Sequence, residues 1–266
     1  MKNITIKSGN IKDFIVDLKN NFDGILGLDM NEYQLKLDTE LVTGTIEATS
    51  YQDDLSYFDF DIKFLEDVKL SIKSDGASPT YFAYCLSGSL EHTFGKKENV
   101  NTISAKQNAV INTVEDTINV FYFKKDVAVK LSIISVGNTI NEDEDSLNSK
   151  IKKTFLNKAE NFAHVGIQHI TIAQKVSQLR AINQKGIVRD LLKKGLLQII
   201  VAMEIEHHTN SYSATESVVN CLTLKQIEQI KRLSDAIQKD PAEQYSIKSL
   251  AKQTGLSPNK LQEGFK

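Results

Sequence analysis

The residue types best suited to chemistry in this chain are the amide, ammonium and hydroxyl side chains of its last segment, residues 246–266. A side-chain amide can form two hydrogen bonds with the edge of an adenine, so Asn259 and Gln262 are candidates for contacts with DNA bases. Ammonium and hydroxyl groups bind backbone phosphates instead. Glu263 can accept a hydrogen bond from cytosine or simply face solvent, and we favour the second. The other candidate DNA-binding residues are Lys252, Ser257, Pro258, Lys260 and Lys266.

Two short helices are predicted to hold these side chains. The first is indicated by apolar residues at helical spacing, which are Ile247, Leu250 and Ala251. Gly255 predicts its end, because glycine accepts a left-handed backbone at little cost. Ser257 followed by Pro258 predicts the start of the second helix, whose buried stripe would be Leu261 and Phe265. A helix, a glycine turn and a helix together can present the second helix to the major groove of DNA.

A family resemblance rests on the complete pattern of this segment, which is Ile247, Leu250-Ala251, Gly255-Leu256-Ser257, Leu261 and Phe265-Lys266. The pattern resembles the first helix-turn-helix motif of the AraC/XylS family of bacterial transcription regulators. That resemblance implies a DNA-binding unit with two such motifs joined by a long helix, of which this chain would contain only the first. We therefore expect the 266-residue form to bind specific DNA weakly.

The first half of the chain predicts short strands. Apolar and polar residues alternate along residues 58–64 and 68–72, which indicates strands with one wet face. Gly88 lies between two apolar runs and predicts a hairpin, and a turn at residues 124–126 separates two later strands. Eight or more short strands without helices between them favour an antiparallel barrel or sandwich. A short amphipathic helix is predicted before them, at residues 11–22.

Residues 82–95, FAYCLSGSLEHTFG, resemble the strand-glycine-strand centre of the cupin-like sensor domains that precede many AraC-type DNA-binding regions. The resemblance implies a barrel whose interior binds a small apolar or aromatic effector. Enzymes of this type need several histidines around a metal, but His92 is the only histidine before residue 164. We expect no metal or other cofactor, and we expect His92 to lie at the surface or to line a pocket.

Beyond an acidic run at residues 141–147, which predicts a solvated linker, the apolar spacing becomes helical. One broad apolar stripe contains Val188, Leu191, Leu192, Leu196, Ile199, Ile200 and Met203. The stripe can pack against the sensor domain or pair with a second copy of the chain. Residues 182–208 resemble the linker helices that mediate dimerisation in many AraC-type regulators, and we favour a homodimer. The pairs Glu204/His208 and His164/His169 offer too few ligands for a metal, and residues 210–217 suit a hinge.

Composition indicates a globular protein, with 41% hydrophobic and 25% charged residues. No apolar run approaches the roughly 20 residues that span a bilayer, so a cytoplasmic location without membrane attachment is expected. The net charge of −2 divides into +3 for residues 221–266 and −5 for the remainder, which modestly favours DNA contact at the carboxy-terminal end. Cys85 and Cys221 are far apart and predict buried free thiols.

These features predict an α+β chain with three regions. Residues 1–140 would form an antiparallel, cupin-like β-barrel for sensing, residues 141–217 a helical dimerisation linker, and residues 218–266 an incomplete helix-turn-helix domain. The leading hypothesis is a ligand-responsive regulator that binds double-stranded DNA. The alternatives are a small-molecule-binding barrel with a structural tail, or a tail that binds a protein partner. No nucleophile elbow, phosphate loop or zinc spacing indicates an enzyme.

Overall fold

A computed structural model describes residues 1–8, 10–51, 55–74, 79–95, 100–114, 116–137, 149, 151, 161–213, 224–240 and 245–265. The strands within these ranges are β1 (Lys2–Ser8), β2 (Ile25–Asp29), β3 (Glu32–Asp38), β4 (Val42–Tyr51), β5 (Leu55–Phe64), β6 (Val68–Ser74), β7 (Thr80–Ser87), β8 (Ser89–Phe94), β9 (Asn101–Ser104), β10 (Gln107–Asn112), β11 (Ile118–Phe123), β12 (Ala128–Val136) and β13 (Phe162–Ile167). The helices are α1 (Ile11–Phe22), α2 (Ile170–Arg180), α3 (Gly186–Ser213), α4 (Leu224–Lys239), α5 (Ile247–Thr254) and α6 (Pro258–Gly264).

The strands form two sheets. The large sheet has eight strands in the order β13-β10-β7-β12-β5-β4-β3-β2, and the small sheet has five in the order β1-β6-β11-β8-β9. Neighbouring strands are antiparallel with one exception, because β1 pairs in parallel with β6 at the edge of the small sheet. The mixed α+β class is therefore as predicted, whereas the expectation of a wholly antiparallel barrel is wrong. The described strand pairs form two separate sheets and no closed ring.

The predicted hairpin at Gly88 is also wrong, because the two strands beside it lie in different sheets. β7 pairs with β10 and β12 in the large sheet, while β8 pairs with β11 and β9 in the small one. Gly88 has a φ of 78°, and a Cβ added there would lie 2.2 Å from the carbonyl oxygen of Ala128. Only glycine fits this close crossing. The turn at residues 124–126 likewise leads from β11 of the small sheet to β12 of the large sheet.

The first hydrophobic core combines α1 with side chains from both sheets. Phe14 packs edge-on against Phe58 with ring centroids 5.0 Å apart, and Phe22 packs similarly against Phe64 at 5.6 Å. His92 lies in this core with no exposed surface, so the expectation of a surface or pocket-lining histidine is wrong. Its Nε2 atom is 3.0 Å from the Oδ1 atom of Asn119, which gives the buried ring a polar partner. Burial lowers the pKa of His92 to about 4.

A second core covers the opposite face of the large sheet, where α2 and α3 pack. It includes Tyr57, Phe82, Tyr84, Val110 and Ile134 from the strands and Ile172, Val176, Leu179, Leu197, Ile200 and Val201 from the helices. The face of β5 that was predicted to be exposed to solvent is therefore partly covered by these helices. Asp59 lies beneath α2, where its Oδ2 atom is 3.1 Å from the guanidinium of Arg180.

Several elements predicted from the sequence are present. The helix at residues 11–22 coincides with α1, and the helix that ends before Gly255 and the one that begins at Pro258 are α5 and α6. Several strands were not identified from the sequence, among them β1 at the start of the chain, β2, β9, β10, and β13, which pairs with β10. The predicted hinge at residues 210–217 begins too early, because α3 continues to Ser213.

Some sequence predictions fall outside the described residues: the acidic run at residues 141–147, the end of the predicted hinge at residues 214–217, Cys221 and Lys266. The side chains of His208 and Glu263 also fall outside them. Among the helices of the described ranges, none is both long and apolar enough to cross a membrane.

Candidate nucleic-acid interface and its connecting helix

The carboxy-terminal helices α4, α5 and α6 enclose a small core of their own. Ile230 and Leu233 of α4 are buried together with Leu256 and Leu261. Leu256 lies in the turn between α5 and α6, as the sequence predicts for a residue that fills the turn from inside. The Nε2 atom of Gln229 donates a hydrogen bond of 3.1 Å to the carbonyl oxygen of Thr254, so α4 also supports the end of α5.

Local hydrogen bonds define the turn between α5 and α6. Ser246 caps α5, and its hydroxyl accepts a 3.1 Å hydrogen bond from the backbone N–H of Ser249. Gly255 ends α5 with a φ of 70°, in the left-handed region that the sequence predicts for it. Ser257 caps α6 by accepting a 3.3 Å bond from the backbone N–H of Lys260, and Pro258 occupies the first helical position.

Most candidate DNA-binding residues are exposed on α5, on α6 or at the turn between them. Asn259 and Gln262 are exposed on α6 and three residues apart, which places them on the same side of the helix. Lys252 of α5 is exposed, and Ser257 and Pro258 are exposed at the start of α6. Lys260 is partly buried, because its Nζ atom donates a 3.3 Å hydrogen bond to the Oε1 atom of Gln226 on α4.

One predicted core position of this segment is exposed: Phe265, expected in the buried stripe of the second helix, has 44% of its surface accessible. Ile247 of α5 is also exposed, at 46%. The physical reason is the position of α4, which covers only the side of the pair where Leu256 and Leu261 lie. Leu250 and Ala251 are partly buried against the same cluster, as expected.

Helix α3 connects the large sheet to the region of α4–α6 in the sequence, and it has two apolar faces. Leu197, Ile200 and Val201 are buried against the sheet. The opposite face is exposed and contains Ile187, Val188, Leu191, Leu192 and Ile199. The buried face packs against the sheet, and the exposed face is available for pairing with a second copy of the chain. Each alternative considered for the apolar stripe thus has its own face of the helix.

Ion pairs fix the beginning of α3 to the large sheet. The guanidinium of Arg189 donates hydrogen bonds of 2.9 and 2.8 Å to the two carboxylate oxygens of Glu32. The Nζ atom of Lys193 lies 2.7 Å from Glu32 and 3.4 Å from Glu47. Burial opposes ionisation of Glu32, but the hydrogen bonds and charges of Arg189 and Lys193 outweigh it and lower the pKa of Glu32 to about 2.

Sequence reasoning missed this cluster. Arg189 and Lys193 are four residues apart, and the same helical face continues into Leu197, Ile200 and Val201, which are buried. Basic residues on the apolar face of a helix are the signal that could have found them, because a buried charge requires a partner. Their acidic partners are about 150 residues away in the chain, and no local pattern identifies such a pairing.

Two cavities could accept a small molecule. The interior between the sheets, where the sequence places the effector, holds a cavity of about 40 Å³ lined by apolar side chains such as Phe58, Phe60 and Phe121. That volume suits a few water molecules rather than a ligand whose site needs roughly 300 Å³ or more. A more open and polar cavity of about 440 Å³ lies between the β2–β3 turn and the start of α3, where Glu32, Glu47 and Arg189 contribute to its lining.

Two kinds of reactive side chain can be described: the free thiol and the groups that could hold a metal ion. Cys85 is a buried free thiol, as predicted, and burial raises its pKa to about 11, so it stays protonated at neutral pH. No cluster of three or more histidine, cysteine, aspartate or glutamate side chains is placed to hold a metal ion within the residues described.

Comparison with solved structures returns AraC-like regulators and cupin enzymes. The chain is similar to the AraC-like transcriptional activator CuxR, with 12% identity, coverage of 83% of this chain and 74% of that chain, and a TM-score of 0.39. It is similar to ToxT from Vibrio cholerae, solved with a bound unsaturated fatty acid, with 9% identity, coverage of 79% and 72%, and a TM-score of 0.35. Oxalate decarboxylase from Bacillus subtilis covers 45% of this chain and 29% of its own, with 9% identity and a TM-score of 0.26.

No protein-family model matches the chain, and no curated protein does. The similar solved structures nevertheless include the two families that the sequence motifs resemble, AraC-like regulators and cupins. At these identities a likeness of fold does not transfer function, which has to be derived from the residues of this chain.

Proposed function

We propose that this chain is a ligand-responsive transcription regulator in which the α5–α6 pair reads specific double-stranded DNA. The observation that carries the proposal is the two-sided construction of α6. Leu261 anchors one side in the core with α4, while Asn259 and Gln262 are exposed on the other side. A helix held by its apolar side and polar on its free side is the form that enters the major groove.

The charges around α6 support the same proposal. Lys248 and Lys252 are exposed on α5, and Lys260 lies at the first turn of α6. Ser257 is exposed at the start of α6, where its hydroxyl can donate a hydrogen bond to a phosphate. Phosphate contacts would therefore flank the two amides that read bases.

Selection of DNA fragments by the 266-residue chain at low salt, about 50 mM, tests the proposal, because low salt retains weak binders. We expect a common sequence to be enriched. Gln262→Ala should weaken binding to that sequence by about 1 to 3 kcal/mol and leave binding to random DNA unchanged. Lys252→Ala should weaken both and reduce the slope of log Kd against log salt by about 1.

Lys36→Ala serves as the control, since Lys36 is exposed on β3, far in the sequence from α5 and α6. It should change neither the affinity nor the salt slope. Failure to enrich any sequence would favour the alternative of a small-molecule-binding module, for which the 440 Å³ cavity beside α3 is the candidate site. Capture of a protein partner instead of DNA by the α4–α6 region would support the third hypothesis.

We further propose that the exposed face of α3 pairs with the same face in a second copy of the chain. Val188, Leu192, Gly195, Ile199 and Ala202 follow each other at intervals of four and three residues, which is the spacing of a two-helix seam. A Cβ added to Gly195 would meet no atom within 4 Å, so this point of the helix is open for close approach. Identical faces related by a two-fold axis bury this apolar surface in both copies.

Light scattering over a range of concentrations tests the dimer. The wild type should approach twice the 29.8 kDa mass of one chain. Leu192→Glu should raise the dissociation constant by about two orders of magnitude or more, because the two-fold axis buries the new charge twice. Ile25→Glu, an equally drastic change at an exposed position of β2, should leave the mass unchanged. A monomeric wild type, or equal effects of both variants, would exclude this interface.

In this proposal α3 transmits the effect of ligand binding to the DNA-binding helices. A ligand can change DNA affinity only if it prefers one arrangement of the parts over another. The cavity beside the start of α3 is lined both by the β2–β3 turn and by α3 itself, so an occupant would contact the sheet and the helix together. Its mixed lining, which includes charged groups such as Glu32 and Arg189 beside Leu28 and Met30, suits an effector with both polar and apolar parts, in contrast to the apolar or aromatic one expected from the sequence.

A further inference from the structure

A group of ionisable side chains lies between the second half of α3 and the large sheet. Glu204 of α3 is only 1% exposed. Its Oε1 atom accepts a hydrogen bond of 3.0 Å from the Tyr84 hydroxyl on β7 and one of 3.2 Å from the Asn108 amide on β10. Two neutral groups, a phenol and an amide, are thus among the partners of Glu204.

Three histidines approach the same interface from the neighbouring elements. His164 lies on β13, His169 precedes α2, and His207 follows Glu204 on α3 by three residues. The rings of His169 and His207 have centroids 5.2 Å apart, and a Cβ added to Gly166 would be 3.7 Å from His164 and 3.4 Å from Asn108. Tyr84 from β7 is a titratable neighbour of Glu204, and β10 contributes the neutral amide of Asn108. Of the histidines, His169 is partly buried, whereas His164 and His207 are exposed.

We propose that Glu204 is a proton-controlled latch that holds the second half of α3 on the large sheet. With a proton on its carboxyl, Glu204 is neutral and its burial is compatible with the apolar contacts around it. Loss of the proton leaves a carboxylate in the interface, and the second half of α3 then separates from the sheet more readily. The latch goes beyond the proposed function, because it concerns the docking of α3 whether or not the chain binds DNA.

Burial supplies the physical cause. It raises the pKa of Glu204 to about 7, against the smaller opposing effect of the hydrogen bonds from Tyr84 and Asn108. In the separated state the carboxyl is in water and has its ordinary pKa of about 4.5. Separation therefore releases a proton between pH 4.5 and 7, so docking weakens as the pH rises through this window and is constant above it.

The histidines act in the opposite direction. Burial lowers the pKa values of His169 and His207, so docking holds them in the neutral form and weakens as the pH falls below their ordinary range. The two effects oppose one another near pH 6 in the wild type. A test must therefore isolate Glu204 by comparing variants that retain the same histidines.

Hydrogen exchange of the whole chain, followed by mass spectrometry and corrected for the intrinsic exchange rate, measures the docking of residues 197–207. We expect the protection of Glu204→Gln relative to the wild type to rise by up to about tenfold per pH unit from pH 5 to 7 and then to level off. Glutamine has nearly the same shape and stays neutral, so it mimics the protonated carboxyl. If the ratio of protection in Glu204→Gln to protection in the wild type does not change with pH, the proposal is overturned.

Two further variants complete the test. Glu206→Gln changes an exposed carboxylate on the same helix and should give a ratio independent of pH. Tyr84→Phe removes a hydrogen bond that stabilises the carboxylate. The pH at which residues 197–207 lose protection should therefore be higher in this variant than in the wild type. If Glu204→Gln does not fold, an unmoved transition in Tyr84→Phe overturns the proposal. No DNA is present in these measurements, so their outcome is separate from that of the DNA selection.

Discussion

Replacing Gly88 by alanine should destabilise the protein by about 3 kcal/mol or more in the free energy of unfolding. A left-handed backbone costs an ordinary residue about 1 to 2 kcal/mol, and forcing atoms into a filled site costs about 1 to 3 kcal/mol in addition. Gly88 incurs both, because its φ is 78° and its new Cβ would lie 2.2 Å from a backbone oxygen of β12. Urea denaturation of the wild type and Gly88→Ala measures the difference.

Gly95→Ala is the matched control for this effect. Gly95 also has a positive φ, of 61°, but a Cβ there would meet no atom within 4 Å. It should cost only the backbone contribution of about 1 to 2 kcal/mol. Equal losses in the two variants would show that the crossing between sheets tolerates a side chain, contrary to the close contact with Ala128.

Glu32→Ala should have the second large effect, a loss of about 3 kcal/mol in stability. The change removes the carboxylate that both Arg189 and Lys193 contact, and Lys193 is only 2% exposed. Breaking a buried ion pair on one side leaves a charge without its compensation, which typically costs about 3 to 5 kcal/mol. Glu47 still contacts both basic residues, so we expect the lower end of that range.

The pH dependence checks the cause of this loss. The pKa of Glu32 is depressed to about 2 in the folded chain, so its contribution is complete above the ordinary value of 4.5 and disappears as the pH falls toward 2. The difference in stability between the wild type and Glu32→Ala should shrink over that range. Glu40→Ala, at an exposed glutamate, should lie within about 0.5 kcal/mol of the wild type at neutral pH. A difference independent of pH would assign the loss to packing instead.

The parts of the fold that the sequence predicts well are those that short-range chemistry determines. Gly255, Ser257 and Pro258 mark helix ends through their own backbone preferences and caps, and the structure has α5 and α6 at those positions. The spacing of apolar residues likewise predicts α1 with its bounds. For the same reason most of the candidate DNA-binding surface could be located before the structure was known, although its binding of DNA stays a prediction.

The pairing of strands is not determined locally, and here the predictions failed. Gly88 is typical of a hairpin, but the same glycine also permits a chain to cross from one sheet to another, and only the distant partners β10 and β11 decide between these outcomes. His92 was expected at the surface or lining a pocket, because a lone histidine cannot supply the ligands of a metal site. Its partner Asn119 lies 27 residues away on an adjacent strand, which no local pattern shows. The division of the chain into three regions remains a prediction.

Helix α3 is attached to the large sheet at two places by different interactions: ion pairs near its start and the hydrogen-bonded Glu204 in its second half. Arg189 and Glu204 are fifteen residues apart, so a clamp of permanent charges and a contact that depends on protonation are separated by about 22 Å along one rigid rod. If the Glu204 contact opens, the ion pairs of Arg189 and Lys193 still hold the start of the helix on the sheet. The second half of α3 can then move away without loss of the attachment at its first turns.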